Sequence, residues 1–136
     1  MPAGYSGTPL VKKLGIKPGF KICLLNQPEN YQDTLGNLSK DVRILSKPEG
    51  KIDFIQYFTK SRLDLEAQFS KLKSLIDMNG MLWISWPKKA SKIATDVDEN
   101  AIREIGLQNG LVDIKVCAVD ETWSGLKFVH RLKNRK

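Results

Sequence analysis

Short apolar segments alternate with turn residues and amphipathic segments along most of the chain, and this alternation restricts the fold more than any other feature. Apolar runs of strand length lie at Phe20–Leu25, Ile52–Phe58 and Met81–Trp86. Because these runs show little alternation between polar and apolar residues, we expect each to be a strand that is buried on both faces. Buried strands separated by helices are typical of a parallel sheet with right-handed crossovers. The sequence therefore predicts an α/β fold.

Two segments between the strands have the pattern of amphipathic helices. One is predicted to begin at Ser61 and to end at Asn79-Gly80, and the other to begin at Thr95 and to end at Asn109-Gly110. In both, an aspartate follows the opening hydroxyl residue by three positions, which is the pattern of a capping box. The helical period places four apolar residues of the first helix on one face: Leu65, Phe69, Leu72 and Ile76.

The remaining strands are predicted to be one weak strand and a terminal hairpin. Val42–Leu45 forms the weak strand, while Val112–Val119 and Leu126–Leu132 are joined by a connection short enough for a hairpin. The first 19 residues are rich in glycine and proline, so we expect an irregular segment with at most a short helical turn at Leu10–Leu14. Its Tyr5–Pro9 part is expected to cover either the cleft, as a lid, or the bottom of the sheet, as a strap.

Composition excludes several classes of function. The 136 residues fit one domain, spanning 1–136. Cys23 and Cys117 lie in predicted strands and have no metal-ligand spacing, and His130 is the only histidine. The chain therefore has few residues that could form a catalytic triad or a metal site, and we assign no metal ligand. No run approaches a membrane span and no signal-peptide core is visible, so we expect no membrane association and a cytoplasmic location.

Positive charge is concentrated at the two ends of the chain. The net charge is +7, of which residues 1–28 carry +4 and residues 122–136 carry +5, while the middle carries −2. Such an arrangement favours solubility, and it is also typical of proteins with an anionic partner.

One stretch in the middle of the chain resembles S-adenosylmethionine methyltransferases. Residues 76–85 read IDMNGMLWIS, which is similar to the L-x-x-G-G-x-L-x-I-S stretch common in that superfamily. The resemblance implies a shortened Rossmann-like fold. By analogy with it, and with the strands numbered in chain order, we expect a mostly parallel six-stranded sheet of order 2-1-3-4-6-5. Helices cover its faces and a C-terminal β-hairpin closes it.

Over nearly its full length the chain also resembles the bacterial domain-of-unknown-function family 3052. The stretches that carry this resemblance are Ala3–Leu10 with Lys13–Gly19, Trp86–Ser91 with Thr95-Asp96, and Cys117–Val129. The resemblance implies a fold and a set of candidate residues, and it implies no particular reaction.

Three features that methyl transfer needs in this fold are missing. A glycine-rich turn normally follows the first strand, because only glycine lets the backbone approach the cofactor closely, yet this chain reads Asn26-Gln27-Pro28. No acid stands at Leu45–Pro48, where one usually holds the ribose. The Asn-Pro-Pro-aromatic motif is replaced by Tyr57–Lys60. We therefore expect no active methyl transfer.

Ligands of open parallel sheets bind outside the carboxyl ends of the strands, where the strand order reverses. In the expected topology this point lies between the first and third strands. Four loops are predicted at this edge: Asn26–Asn30, Thr59–Ser61, Trp86–Lys92 and Asp120–Ser124. The candidate ligand-binding residues in them are Asn26, Trp86, Lys88, Lys89, Lys92, Asp120, Glu121 and Trp123.

Each group of candidates has two interpretations. The lysines precede the predicted helix start at Thr95-Asp96, where a phosphate or carboxylate would fit, or they form a solvated loop; Asp96 counts against an anion because it can cap the helix itself. The tryptophans form a stacking wall or pack in the core. The acids pair with Lys88 and Lys89 or act as general acid and base. We expect Lys88 or Lys89 near the 120–124 turn, with a concavity towards Asn26.

These observations favour a Rossmann-like domain that binds a small anionic or nucleotide-like ligand at the carboxyl edge of the sheet. The alternative is a non-catalytic interaction protein that binds nucleic acid or an acidic protein through its basic termini. No RNA-binding aromatic motif or helix-turn-helix pattern supports that alternative, so it is less favoured. No pattern in the chain identifies a catalytic residue, a cofactor or an oligomeric state.

Overall fold

Helices and strands follow each other as the alternation in the sequence predicts, except that a further short helix, which was not predicted, lies between the first and second strands. The computed structural model describes residues 9–132. Its elements are α1 (Leu10–Leu14), β1 (Lys21–Leu25), α2 (Tyr31–Leu35), β2 (Arg43–Ile44), β3 (Ile52–Phe58), α3 (Arg62–Leu75), β4 (Ile76–Pro87), a 3₁₀ turn (Lys89–Ser91), α4 (Glu99–Gln108), β5 (Leu111–Ala118) and β6 (Trp123–His130). Residues 5–8 of the expected lid or strap, and the basic residues Lys133, Arg135 and Lys136, lie outside the described residues.

The six strands form one sheet in the order β2-β1-β3-β4-β6-β5, which confirms the predicted topology. The β2, β1, β3 and β4 strands are mutually parallel, β6 is antiparallel to β4, and β5 is antiparallel to β6. The carboxyl ends of β1, β3, β4 and β5 therefore lie along the same edge of the sheet.

Two hydrophobic clusters cover the two faces of the sheet. The α3 and α4 helices pack on one face through residues such as Phe69 and Ile105, and α1 and α2 pack on the other through Leu14 and Tyr31. Cys23 belongs to the first cluster and Cys117 packs against the second, so the two free thiols lie on opposite faces of the sheet. No helix within residues 9–132 is long and apolar enough to cross a membrane.

Trp83 on β4 connects the sheet to α1. Its side chain is fully buried, and its indole N–H donates a hydrogen bond to the Leu14 carbonyl over 2.9 Å. A Cβ atom at Gly125 on the neighbouring β6 strand would lie 2.9 Å from the indole ring. Only a residue without a side chain fits at this position beside the tryptophan.

The boundary between α3 and β4 differs from the prediction. The helix ends at Leu75, and Ile76 opens the strand by pairing with Ile52. The next partners are Phe54 and Met81, so β4 contains three extra residues there. Gly80 lies in this irregularity and not at a helix end, and a Cβ atom on it would lie 2.9 Å from the Ile52 carbonyl oxygen. Ile76 suits both the helical period and a buried strand, which is why the pattern extended the helix too far.

The start of α4 also differs from the prediction. Asp98 is the N-cap, and its carboxylate accepts a hydrogen bond from the Ala101 N–H at 2.8 Å. The Thr95 hydroxyl instead donates to the Lys60 carbonyl oxygen over 2.7 Å. Asp is as good an N-cap as Thr, so two capping residues three positions apart allowed two starting points for the helix.

We predict that Gly106→Ala destabilises the fold, although alanine normally stabilises a helix interior by about 1 kcal/mol over glycine. The new Cβ atom would lie 2.0 Å from the buried Phe128 ring, which itself packs edge-on against Phe69. Overpacking of this kind costs about 1–3 kcal/mol. Urea denaturation measures the change, and Phe128→Leu in the same chain is expected to recover part of it. A Gly106→Ala variant more stable than the wild type would contradict this packing.

Candidate functional site

Among the open grooves at the carboxyl edge of the sheet, two adjoin each other at Ile93. We call the first the switch-point groove, because it lies beyond the ends of β1 and β3, where the strand order reverses; its volume is about 510 Å³. We call the second the lysine groove; it lies between the end of β4 and the start of α4 and has a volume of about 810 Å³. Ile93, in the segment that connects β4 to α4, lines both grooves.

The structure divides the sequence-predicted candidates between these grooves. Asn26 and Trp123 line the switch-point groove. The lysine groove is lined by four others: Trp86, Lys88, Lys89 and Lys92. Asp120 and Glu121 are in the lining of neither groove. The predicted concavity towards Asn26 is present, but the lysine loop belongs to its neighbour.

Trp86 and Trp123 lie on opposite faces of the sheet. In the antiparallel pairing of β4 with β6, Trp86 is opposite Ser124 and Trp123 is opposite Pro87, so the two indoles alternate in direction. Both are buried, with 7% and 9% of their surface exposed, and they belong to different core clusters. They do not form a common stacking wall, and each contributes to the core.

Asp120 organises the hairpin turn before β6. One of its carboxylate oxygens accepts hydrogen bonds from the backbone N–H groups of Thr122 and Trp123, both at 2.8 Å. The Lys88 N–H donates to the Thr122 carbonyl oxygen over 2.8 Å, which brings the lysine loop against this turn as expected. The lysine loop and the turn are thus joined through backbone atoms, while the Asp120 carboxylate stabilises the turn itself.

The lysine groove has mixed charge. Its lining contains three lysines together with the carboxylates of Asp96, Asp98 and Glu99. Asp98 and Glu99 stand at the positive end of α4, where the sequence analysis placed an anion. Asp96 does not cap α4; its carboxylate accepts the Arg62 N–H at 2.8 Å and so caps α3. The groove therefore offers an external anion less net attraction than its lysines suggest.

The switch-point groove has an apolar floor and a polar rim. Its apolar residues are Pro28, Phe58, Ile93 and Trp123, and its polar residues are Asn26, Thr59, Lys60, Ser61 and Asp64. Phe58 and Trp123 contact each other edge to face, with ring centroids 5.2 Å apart. The floor is held rigidly by this contact, while Lys60 at the rim is exposed to solvent.

Asparagines make the turn after β1, where the methyltransferase fold normally has glycine. Asn26 has a φ of 57° and Asn30 a φ of 64°, and both values lie in the left-handed region that asparagine tolerates better than most residues. The Asn26 side chain lies beside the hydroxyl of Tyr57, which packs on the α3 face of the sheet. The backbone thus forms this turn without glycine, and the Asn26 side chain fills space that a glycine would leave open.

The Tyr57 hydroxyl stays protonated near neutral pH. Burial raises its pKa, and the charge of Asp64 raises it further, against the hydrogen bonds from Thr59 and Asn26 that lower it. The group is therefore available as a hydrogen-bond donor beside Asn26.

Sequence reasoning assigned the Thr59–Ser61 loop to this edge but did not select its residues as candidates, and it overlooked Ile93. The signal for Lys60 was its position directly after a buried parallel strand. Ile93 carried no comparable signal, because its place depends on how the connecting segment folds back to Lys60 through Thr95 and Asp96.

The topology and the open carboxyl edge define an α/β domain with the S-adenosylmethionine-dependent methyltransferase fold. Magnesium protoporphyrin IX methyltransferase from Synechocystis, solved with bound SAH, matches 89% of this chain and 78% of its own with a TM-score of 0.59 and 16% identity. A SAM-dependent methyltransferase from Aquifex aeolicus matches 88% and 86% with a TM-score of 0.62 and 13% identity. A TehB-like SAM-dependent methyltransferase from Corynebacterium glutamicum matches 90% and 85% with a TM-score of 0.55 and 11% identity. No protein-family model and no curated protein matches the sequence.

We predict that Asp120→Ala lowers the free energy of unfolding by about 1–2 kcal/mol, because two backbone N–H groups of the turn lose their carboxylate acceptor. Asp120→Asn keeps an oxygen at the same place and is expected to retain most of the stability. Chemical denaturation of the two variants gives the comparison. Equal loss in both variants would show that the negative charge, and not the turn, is what Asp120 contributes.

Proposed function

We propose that this protein binds a small anionic or nucleotide-like ligand in the switch-point groove and that it does not transfer methyl groups. The observation that carries the proposal is the groove itself, which combines an apolar floor with a polar rim. The rim holds one exposed ammonium group, Lys60, together with one exposed carboxylate, Asp64. The groove's volume of about 510 Å³ is within the range of small-molecule sites. A ring on the floor, with an anionic group towards Lys60, suits these walls.

Among the residues predicted from sequence, we assign Asn26 and Trp123 to this site directly. Asn26 presents a side-chain amide at the rim, and Trp123 supplies part of the floor. Lys88, Lys89 and Lys92 lie beyond Ile93 in the adjoining lysine groove, within the reach of a longer polyphosphate. We propose no direct ligand contact for the remaining three candidates, Trp86, Asp120 and Glu121. They act only by shaping the edge of the sheet.

Three features argue against methyl transfer. The Asn26 side chain stands where a cofactor would need a bare backbone. No acid stands in the four residues after β2, Leu45-Ser46-Lys47-Pro48, and the next acid is Glu49. The residues after β3 are Thr59-Lys60-Ser61. Ser61 caps the start of α3, and the segment includes no Asn-Pro-Pro motif. Membership of family 3052 and a cytoplasmic location stay predictions from the sequence.

Calorimetric titration with AMP, ATP and S-adenosylmethionine tests the proposal. We expect AMP and ATP to bind, and S-adenosylmethionine to bind more weakly than either, because its methionine portion needs the space that Asn26 fills. Micromolar affinity for S-adenosylmethionine would overturn the exclusion of methyl transfer. Heat signals no larger than dilution for both nucleotides would reject the nucleotide-like ligand.

A matched pair of lysine variants locates the site. Lys60 follows β3 at the carboxyl edge and Lys51 precedes the same strand at the opposite edge, and both are exposed. We predict that Lys60→Gln weakens AMP binding by about twofold to fivefold, as expected for one exposed charged contact, and that Lys51→Gln leaves it unchanged. A Lys88→Ala, Lys89→Ala double variant is expected to affect ATP more than AMP. Equal effects of Lys60→Gln and Lys51→Gln would place the anion elsewhere.

A further inference from the structure

Lysines from both ends of the chain meet on the face of the sheet that carries α1. The Lys13 ammonium donates to the Ala118 carbonyl oxygen over 3.2 Å, and the Lys115 ammonium donates to the Lys13 carbonyl oxygen over 3.0 Å. These two bonds connect α1 to β5. Burial raises the pKa of the Cys117 thiol and the charges of both lysines lower it, so both ammonium groups lie near Cys117. The two bonds also show that the basic N-terminal segment lies beside the C-terminal hairpin.

A third ammonium group is fixed between these elements. Lys127 on β6 is the direct cross-strand partner of Lys115 on β5. A Cβ atom at Gly15, at the end of α1, would lie 3.6 Å from the Lys127 nitrogen, so this ammonium packs against the α1 terminus. Burial lowers the pKa of Lys127, and the charges of Lys115 and Lys17 lower it further.

This arrangement carries an electrostatic cost within the described residues. Like charges directly opposite each other on antiparallel strands destabilise a sheet. The ion pairs that the structure gives within residues 9–132 join Arg62 to Glu66 and Arg103 to Glu99 and Asp113, and they include neither Lys115 nor Lys127. An external anion would relieve the repulsion, since it would face several cations at once.

We propose that the surface formed by Lys13, Lys17, Lys115 and Lys127 binds the phosphate backbone of a nucleic acid. Its cations come from three separate segments, α1 with the residues after it, β5 and β6, and they spread over one face. The backbone of a nucleic acid presents a row of phosphates to such a surface. Binding is favoured because the phosphates that the lysines neutralise release their counterions. None of the four lysines lines the switch-point groove or the lysine groove, so this surface is independent of the proposed ligand site.

Fluorescence anisotropy with a labelled duplex oligonucleotide, measured over a series of salt concentrations, tests the proposal. We expect binding at low salt, with an affinity that falls on a log–log plot by about 0.9 for each phosphate contacted. The Lys115→Gln, Lys127→Gln double variant is expected to flatten this slope by about 1.8, the contribution of two contacts. Circular dichroism verifies that this variant remains folded.

The control is Lys47→Gln, Lys51→Gln, which removes the same charge from two exposed lysines between β2 and β3. We expect its salt slope to equal that of the wild type. The proposal is overturned if the wild type does not bind the duplex at low salt, or if both double variants flatten the slope equally. It is also overturned if one molar equivalent of inorganic pyrophosphate per protein displaces the duplex at constant ionic strength, because that result identifies a site for a small phosphate.

Discussion

The close packing of Trp83 against Gly125 is the constraint on which the arrangement of the molecule depends. The indole fills the space between the sheet and α1, and it leaves room on β6 only for a residue without a side chain. Any slip of β6 along β4 would place Ser124 or Leu126 against the ring, so this contact fixes the register of the hairpin. That register determines that Trp123 faces the switch-point groove while the side chain of Ser124 faces the other way.

The edge of the sheet shows how one fold accommodates different sites. The backbone turn after β1 contains two left-handed residues, and both are asparagines, whose side chains prevent the close approach to a cofactor that glycine permits. Asn26 contacts the Tyr57 hydroxyl, and Asp96 occupies the start of α3, where an external anion would otherwise find a helix terminus. Groups of the protein itself thus occupy the turn after β1 and the start of α3, and the groove that Asn26 lines has both apolar and polar walls.

Strand-length apolar runs and turn residues are local signals, and they predicted the strands, the two long helices and the hairpin. The strand order followed from the resemblance to methyltransferases, in agreement with the right-handed crossover rule. The sequence did not predict where α3 ends, since Ile76 fits a helix and a strand equally well. The division of the candidates between two grooves was also out of reach. It depends on the direction of each side chain across β4 and β6, and on the partner of Asp96, Arg62, which lies 34 positions earlier in the chain. Local pattern therefore located the edge, and tertiary pairing decided which residues share a groove.

The bonds that join α1 to β5 have a consequence for the synthesis of the chain. Lys13 reaches Ala118 across 105 positions and Lys115 reaches Lys13 across 102, so the bonds between α1 and β5 form only after the ribosome has made β5. The parallel strands β1, β3 and β4 can pair before that time, and α1 can dock on β4 through the bond from Trp83 to Leu14, but the contacts of α1 with β5 and β6 are still missing. Closure of long loops of this kind slows folding, because the chain loses their entropy before it gains the contacts. Newly made chains are accordingly most prone to aggregate in the interval before the hairpin adds to the sheet.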